Sequence, residues 1–141
     1  MTSTKRMVYT HAPSFPEVIF QSPIPHQEKI GWQVLCGDTG QWRVGIASPA
    51  EAQLADNAEF EQHDCPELFL LLWGKMTLAT IEDGEIHHHK LQIGKPILVT
   101  APHTGYCPDG PHQGAAFVVE RDTFRTEYRR ANDWFSDGKE R

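Results

Sequence analysis

The chain is short of several things that would assign it to a familiar class. It has three cysteines, Cys36, Cys65 and Cys107, an odd number with no C-x-x-C spacing. That argues against a disulfide framework and for reduced thiols in a cytoplasmic protein. It has no surplus of basic residues: the net charge is −6 with acids and bases interspersed. A nucleic-acid or anionic-membrane partner is therefore not expected. Its longest strongly apolar run, "LFLLLW", is too short to span a bilayer, and no signal-peptide pattern opens the chain. Internal repeats and low-complexity tracts are missing, and at 141 residues one domain is the natural expectation.

What the chain does have is punctuation. Four prolines, Pro13, Pro16, Pro23 and Pro25, fall within the first thirty residues. Proline fixes φ and removes a donor, so residues 1–29 read as an extended arm. From Ile30 onward short apolar segments alternate with turn signals: "GWQVLCGDTGQWRVGIAS", "ELFLLLWGKMTLATI", "IHHHKLQIG", "PILVTAP" and "GAAFVVE". "EDGE" between two alternating runs is a hairpin signal. The fold class is all-β, a sandwich or barrel over residues 30–120. A C-terminal tail over 121–141 follows, and only it and "SPAEAQLADN" could hold a short helix. Trp32, Trp42 and Trp73 are expected in the core.

The stretch "EFEQHDCPELFLLLWG", residues 59–74, carries the chemistry. Read as one strand, it puts Glu61, His63, Cys65 and Glu67 on one face, beside a run that wants burial. Imidazole and carboxylate converging there suggest a metal site. Cys65 reads as a small buried filler. In "IHHHK", His87 and His89 share one face of a strand and His88 takes the other, so the three cannot reach one ion.

"HDCPELFLLLWG" resembles the first motif of the cupins: His63 matches its second histidine, Glu67 its glutamate and Gly74 its glycine. The first histidine is Glu61 here. "GKPILVTAPHTGYCPDG" resembles the second motif, beginning at Gly94. In strict register Thr100, Pro102 and Gly105 replace its proline, glycine and histidine, and a two-residue slip brings His103 to the ligand position. His112, in the same loop, reads as a surface histidine. The resemblance covers roughly residues 30–120 and implies a small jelly-roll barrel with a divalent metal inside. His63, Glu67 and His103 would be the ligands. Glu61 would be a further ligand or general base, and Tyr106 a catalytic acid or substrate-stacking wall. Two histidines and a carboxylate with open positions suit Fe(II) first, with Zn, Ni or Mn also accommodated.

"ELFLLLWGKM" and "AFVVERDTF" are similar to stretches of 3-hydroxyanthranilate dioxygenase-like cupins. That likeness implies an arginine gripping a substrate anion, for which Arg43 is the candidate, with Lys75 as another steering charge. The leading expectation is a metal-dependent dioxygenase acting on a small polar molecule. A cupin that binds or senses a ligand without turnover, and a metal-free isomerase or epimerase, are the alternatives. Cupins commonly dimerise, so a homodimer is expected.

Overall fold

The computed structural model describes residues 6–9 and 22–139. Among these residues ten strands and one helix run in the order β1 (Trp32–Asp38), β2 (Trp42–Ala47), β3 (Glu59–His63), β4 (Glu67–Gly74), β5 (Thr77–Glu82), β6 (Glu85–Lys90), β7 (Ile97–Val99), β8 (His103–Tyr106), β9 (Gly114–Arg121), β10 (Thr126–Arg130) and α1 (Ala131–Lys139). They form two five-stranded antiparallel sheets, β1-β2-β9-β4-β7 and β10-β3-β8-β5-β6. Facing sheets with crossing connections of this kind make a jelly roll, and the all-β expectation holds.

Local chemistry explains the turns. Asp83 and Gly84 both take positive φ (54° and 73°) between β5 and β6, the two-residue hairpin loop that "EDGE" signalled. Gly74, the motif glycine, has φ 68°, and a Cβ there would sit 2.1 Å from the Gln113 carbonyl oxygen. No other residue fits that close approach. "SPAEAQLADN" forms turns and bends with no helix.

Between the sheets, Phe69, Leu71, Met76, Leu78, Val99, Ala116 and Val118 make the main core. Fully burying a side chain such as Leu78 stabilises by roughly 1.5–3 kcal/mol. A second cluster, Phe60, Ala79 and Ile81, packs outside the other sheet under Trp134 and Phe135 of α1. The Trp134 indole N–H is shared between the Phe60 and Arg129 carbonyls at 3.2 and 3.1 Å, fixing the helix to β3 and β10. The barrel thus extends beyond residue 120, because the expected tail supplies β10, which pairs with β3 along its length. Of the arm, residues 1–5 and 10–21 lie outside the described residues; 6–9 and 22–29 are exposed and form no strand.

Two expectations need correcting. Residues 59–74 are two strands: a bend at Asp64–Pro66 separates β3 from β4, and the two belong to opposite sheets. The Asp64 carboxylate holds the bend by accepting from the Arg125 amide (3.1 Å) and the Arg121 guanidinium (2.9 Å). Cys65 sits in that bend. Trp32 and Trp73 are not core either, at 40% and 48% exposure. The Trp32 ring lies on Gly45, where a Cβ would come within 2.3 Å of it. All three cysteines are free, and no helix among the described residues is long and apolar enough to cross a membrane.

Candidate metal centre

Two rows of polar side chains face each other across the barrel. Residues paired across antiparallel strands sit side by side on one face. In one sheet the register gives Arg43 beside Glu120 and Glu120 beside Glu67. In the other it gives Tyr128 beside Glu61, Glu61 beside His103 and His103 beside Thr80. His63, two residues along β3 from Glu61, points the same way. Apart from Thr80, these residues line a cavity of about 590 Å³ that also meets Trp32, Phe69, Phe124 and Thr126.

The two histidines present Nε2 to one region. His63 Nδ1 lies 2.8 Å from the Thr126 hydroxyl, and His103 Nδ1 lies 3.0 Å from the Ala101 carbonyl oxygen. The carbonyl only accepts, so His103 carries its proton on Nδ1 when neutral and leaves Nε2 as a free lone pair. His103 Nε2 lies 3.5 Å from Glu61 Oε1 and 3.1 Å from Glu67 Oε2. The contact to Glu67 is within ion-pair distance, and this buried nitrogen makes no hydrogen bond. His63 Nε2 touches Glu67 Oε1 and lies 3.8 Å from Glu61 Oε1.

The electrostatics are those of a site crowded with carboxylates. Glu120 is buried; Arg43 Nε and Nη2 both reach its Oε1 at 2.8 Å. The guanidinium is itself held between the faces of Trp32 and Phe124, 5.6 and 4.9 Å from their centres. Burial, reinforced by the hydrogen bond to Glu67 and its charge, pushes the Glu120 carboxyl up to about 7 despite Arg43. Burial also pushes Glu67 upward, but its close contacts with His103, His63 and Glu120 outweigh it and hold Glu67 well below the usual carboxylate range. The two carboxyls therefore share one proton. For His103, burial favours the neutral ring, and the adjoining Glu67 carboxylate more than offsets it, raising the imidazole. Tyr128 at the mouth is raised by burial and by the charge of Glu61.

This arrangement fits a divalent cation. Donor atoms of Glu61, His63 and His103 lie within 4.8 Å of one another, and so do those of His63, Glu67 and Glu120. The unpartnered Nε2 of His103 and the excess of carboxylate over guanidinium are what a cation would satisfy. The Thr126 hydroxyl orients His63 from behind. Thr126→Val is expected to weaken binding of added Zn(II) about 10–100-fold without unfolding the barrel. Calorimetric titration checks it; an unchanged affinity would show that packing alone sets the ring.

The structure brings together Glu61, His63, Glu67, His103 and Arg43. It does not bring Tyr106. Counting from inward-facing His103, a period of two turns Tyr106 to the opposite face, where its hydroxyl lies 3.0 Å from His88 Nδ1. His112 lies near the Ser48 carbonyl oxygen, Nδ1 at 2.6 Å, and Lys75 is an exposed side chain 3.8 Å from Asp109. Sequence reasoning missed Glu120, Thr126, Phe124 and Tyr128. Glu120 had a signal: in "AAFVVE" it continues the inward alternation of Ala116 and Val118, a charge where the strand otherwise buries.

No family model matches the chain, and no curated protein matches it in sequence. Solved structures do. The polyketide cyclase RemF from Streptomyces resistomycificus is similar with a TM-score of 0.52 and 16% identity, over 81% of this chain and 84% of that one. FeII HppE is similar at 0.52 and 15%, over 74% of this chain and 60% of its own length. A cupin-2 domain-containing protein from Shewanella frigidimarina gives 0.49 and 13%, over 68% and 83%. The chain has the cupin fold. It is a small cupin-type barrel whose interior carries a histidine–glutamate group with the composition of a metal site.

Proposed function

We propose that this chain is a metal-dependent cupin enzyme of the dioxygenase type, acting on a small polar, anionic molecule. His63, His103 and Glu67 would hold the ion, with Glu61 and Glu120 beside them. The observation that carries the reading is the buried, partnerless Nε2 of His103 directed at the same carboxylates as His63 Nε2. A divalent ion there, Fe(II) first among them, supplies Lewis-acid and dioxygen chemistry at positions the protein leaves open.

The remaining roles belong to the chain. Arg43, fixed between Trp32 and Phe124 on the cavity wall, offers its unspent guanidinium N–H groups to a substrate carboxylate. Glu61, one-third exposed at the mouth, is placed to accept a proton from a substrate hydroxyl or to complete the ligand set. Phe69, Leu78 and Val118 line the cavity, so a substrate there displaces water from apolar walls. Anaerobic loading with Fe(II), then oxygen uptake against a panel of small carboxylic acids, tests the proposal. Turnover that is lost in His63→Ala, Glu67→Ala supports it. Uptake indistinguishable from that variant for every acid would leave a binding cupin.

One observation favours a second reading. Glu120, titrating near 7 against a hydrogen-bonded carboxylate, is suited to proton transfer without a metal, as an isomerase requires. Turnover of a substrate by the chelator-treated protein would select it.

We also infer a homodimer. Leu68, Leu70, Leu98, Phe117, Val119 and Ile46 make an apolar row on the outer face of the β2-β9-β4-β7 sheet. "LFLLLW" is apolar at every position, the pattern of a strand covered on both faces, whereas the barrel core covers one. A row without charged side chains is self-complementary, so two copies of a chain of net charge −6 can meet there without opposing like charges. Light scattering is expected to give twice the chain mass, and Leu98→Glu, at a residue 66% exposed, to give the monomer. A monomeric parent chain refutes this.

A further inference from the structure

The run His87-His88-His89 takes no part in the barrel site. Among the described residues β6 is an edge strand, paired only with β5. Its register sets His87 opposite Thr80 and His89 opposite Leu78, so both face the gap toward β7, while His88 turns away to Tyr106. The His87 and His89 rings are stacked, their centres 6.5 Å apart and their planes 19° from parallel. His89 Nε2 lies 3.4 Å from Glu82 Oε2 and 2.8 Å from the Thr80 hydroxyl, which donates to that same Glu82 oxygen at 2.8 Å. Thr80, Glu82 and His89 border a separate cavity of about 140 Å³ between β5, β6 and the β7 edge.

We propose that His87, His89 and Glu82 form a second divalent-metal site, imidazole-rich and suited to Zn(II), Ni(II) or Cu(II). Two ligands of a tetrahedral ion bound at about 2.0–2.1 Å stand about 3.3 Å apart. His89 Nε2 and Glu82 Oε2 already have that spacing. Two imidazoles on one such ion bring their ring centres to about 5 Å. As they stand the three side chains do not bring one ligand atom each within 4.8 Å of one another, and His87, which is exposed and free to change rotamer quickly, must turn toward the other two to close the set. Water from the open side completes the coordination. Thr80, touching both Glu82 and His89, is the positioning residue.

The test removes the barrel ligands first. His63→Ala, His103→Ala protein, freed of metal by chelator, is titrated with Ni(II) in a calorimeter. One ion per chain is expected, bound at least about tenfold more weakly when Glu82 becomes Gln, and lost when His87 and His89 become Ala. His88→Ala is expected to bind as the parent does, because that ring faces Tyr106. Absence of binding in the barrel-disabled protein overturns the proposal. So does equal weakening by His88→Ala and His87→Ala, which would mean a loose histidine tract. If the barrel variant does not fold, the same substitutions in the parent chain decide. The Ni(II) stoichiometry then falls by one with His87→Ala, His89→Ala and is unchanged with His88→Ala; any other pattern overturns the site.

Discussion

Elemental analysis of the untagged, purified chain is expected to find about one tightly held divalent ion per molecule, and His63→Ala, Glu67→Ala to lose it. The site has an unmet demand for a cation. His103 Nε2 is buried, and its lone pair has no donor facing it. An unsatisfied buried polar atom costs about 1–3 kcal/mol, which a bound ion would offset. Around it stand three carboxylates, Glu61, Glu67 and Glu120, against the single guanidinium of Arg43. Removing a histidine and a carboxylate together takes away two of the three proposed ligands and is expected to weaken affinity by well over about 10²-fold, beyond the loss typical of an outer-sphere partner. Circular dichroism on the variant separates this loss from unfolding. No ion after reconstitution with iron, zinc, nickel and manganese would falsify the metal centre and leave the acid–base reading.

The second large effect is on stability against pH in the metal-free protein. Glu120 titrates near 7 in the folded chain, far above an ordinary glutamate at 4.5. Between those values the folded state keeps a proton that the unfolded state has lost, so stability falls as pH rises. A displacement of that size corresponds to roughly 3 kcal/mol. His103, raised by Glu67, acts in the same direction: its contribution is complete below 6.5 and disappears as pH rises through its folded value. Glu67, held low, contributes above 4.5 and loses that contribution only as pH falls below it, outside this window. Urea unfolding is therefore expected to show a decline from about pH 5 to pH 8. Glu120→Gln keeps an N–H donor beside Glu67 but cannot titrate. It is expected to flatten most of that slope, even though loss of the Arg43 pair lowers the absolute stability. An unchanged slope in Glu120→Gln would place the proton elsewhere. Saturating divalent ion is expected to reverse the trend, because the ion must displace the shared proton and binds more tightly as pH rises.

The amino-acid sequence by itself determined the class of fold and half of the site. Short apolar runs broken by Gly, Pro and Asp-Gly permit little except a small antiparallel barrel, and turn chemistry of that kind acts over a few residues. His63, Glu67 and Gly74 were legible through their spacing. The reason for that spacing was not. Alternation within one strand appeared to align Glu61, His63 and Glu67, but the chain bends at Asp64, and the groups meet because two sheets face inward from opposite sides. Tyr106 illustrates the same limit: once His103 is known to face inward the period of two excludes it, yet the facing of His103 depends on its pairing with Glu61 and Thr80.

Only the tertiary structure decided which distant residues became neighbours. Glu120 stands 53 positions from Glu67, and Arg43 another 24 before that, yet register across β2, β9 and β4 sets them side by side. Register follows from which face of each strand is buried, a property of the assembled core and of no segment alone. Burial then turned an unremarked strand-end glutamate into the group that shares a proton with Glu67, because a carboxylate's charge costs little in water and much between two sheets.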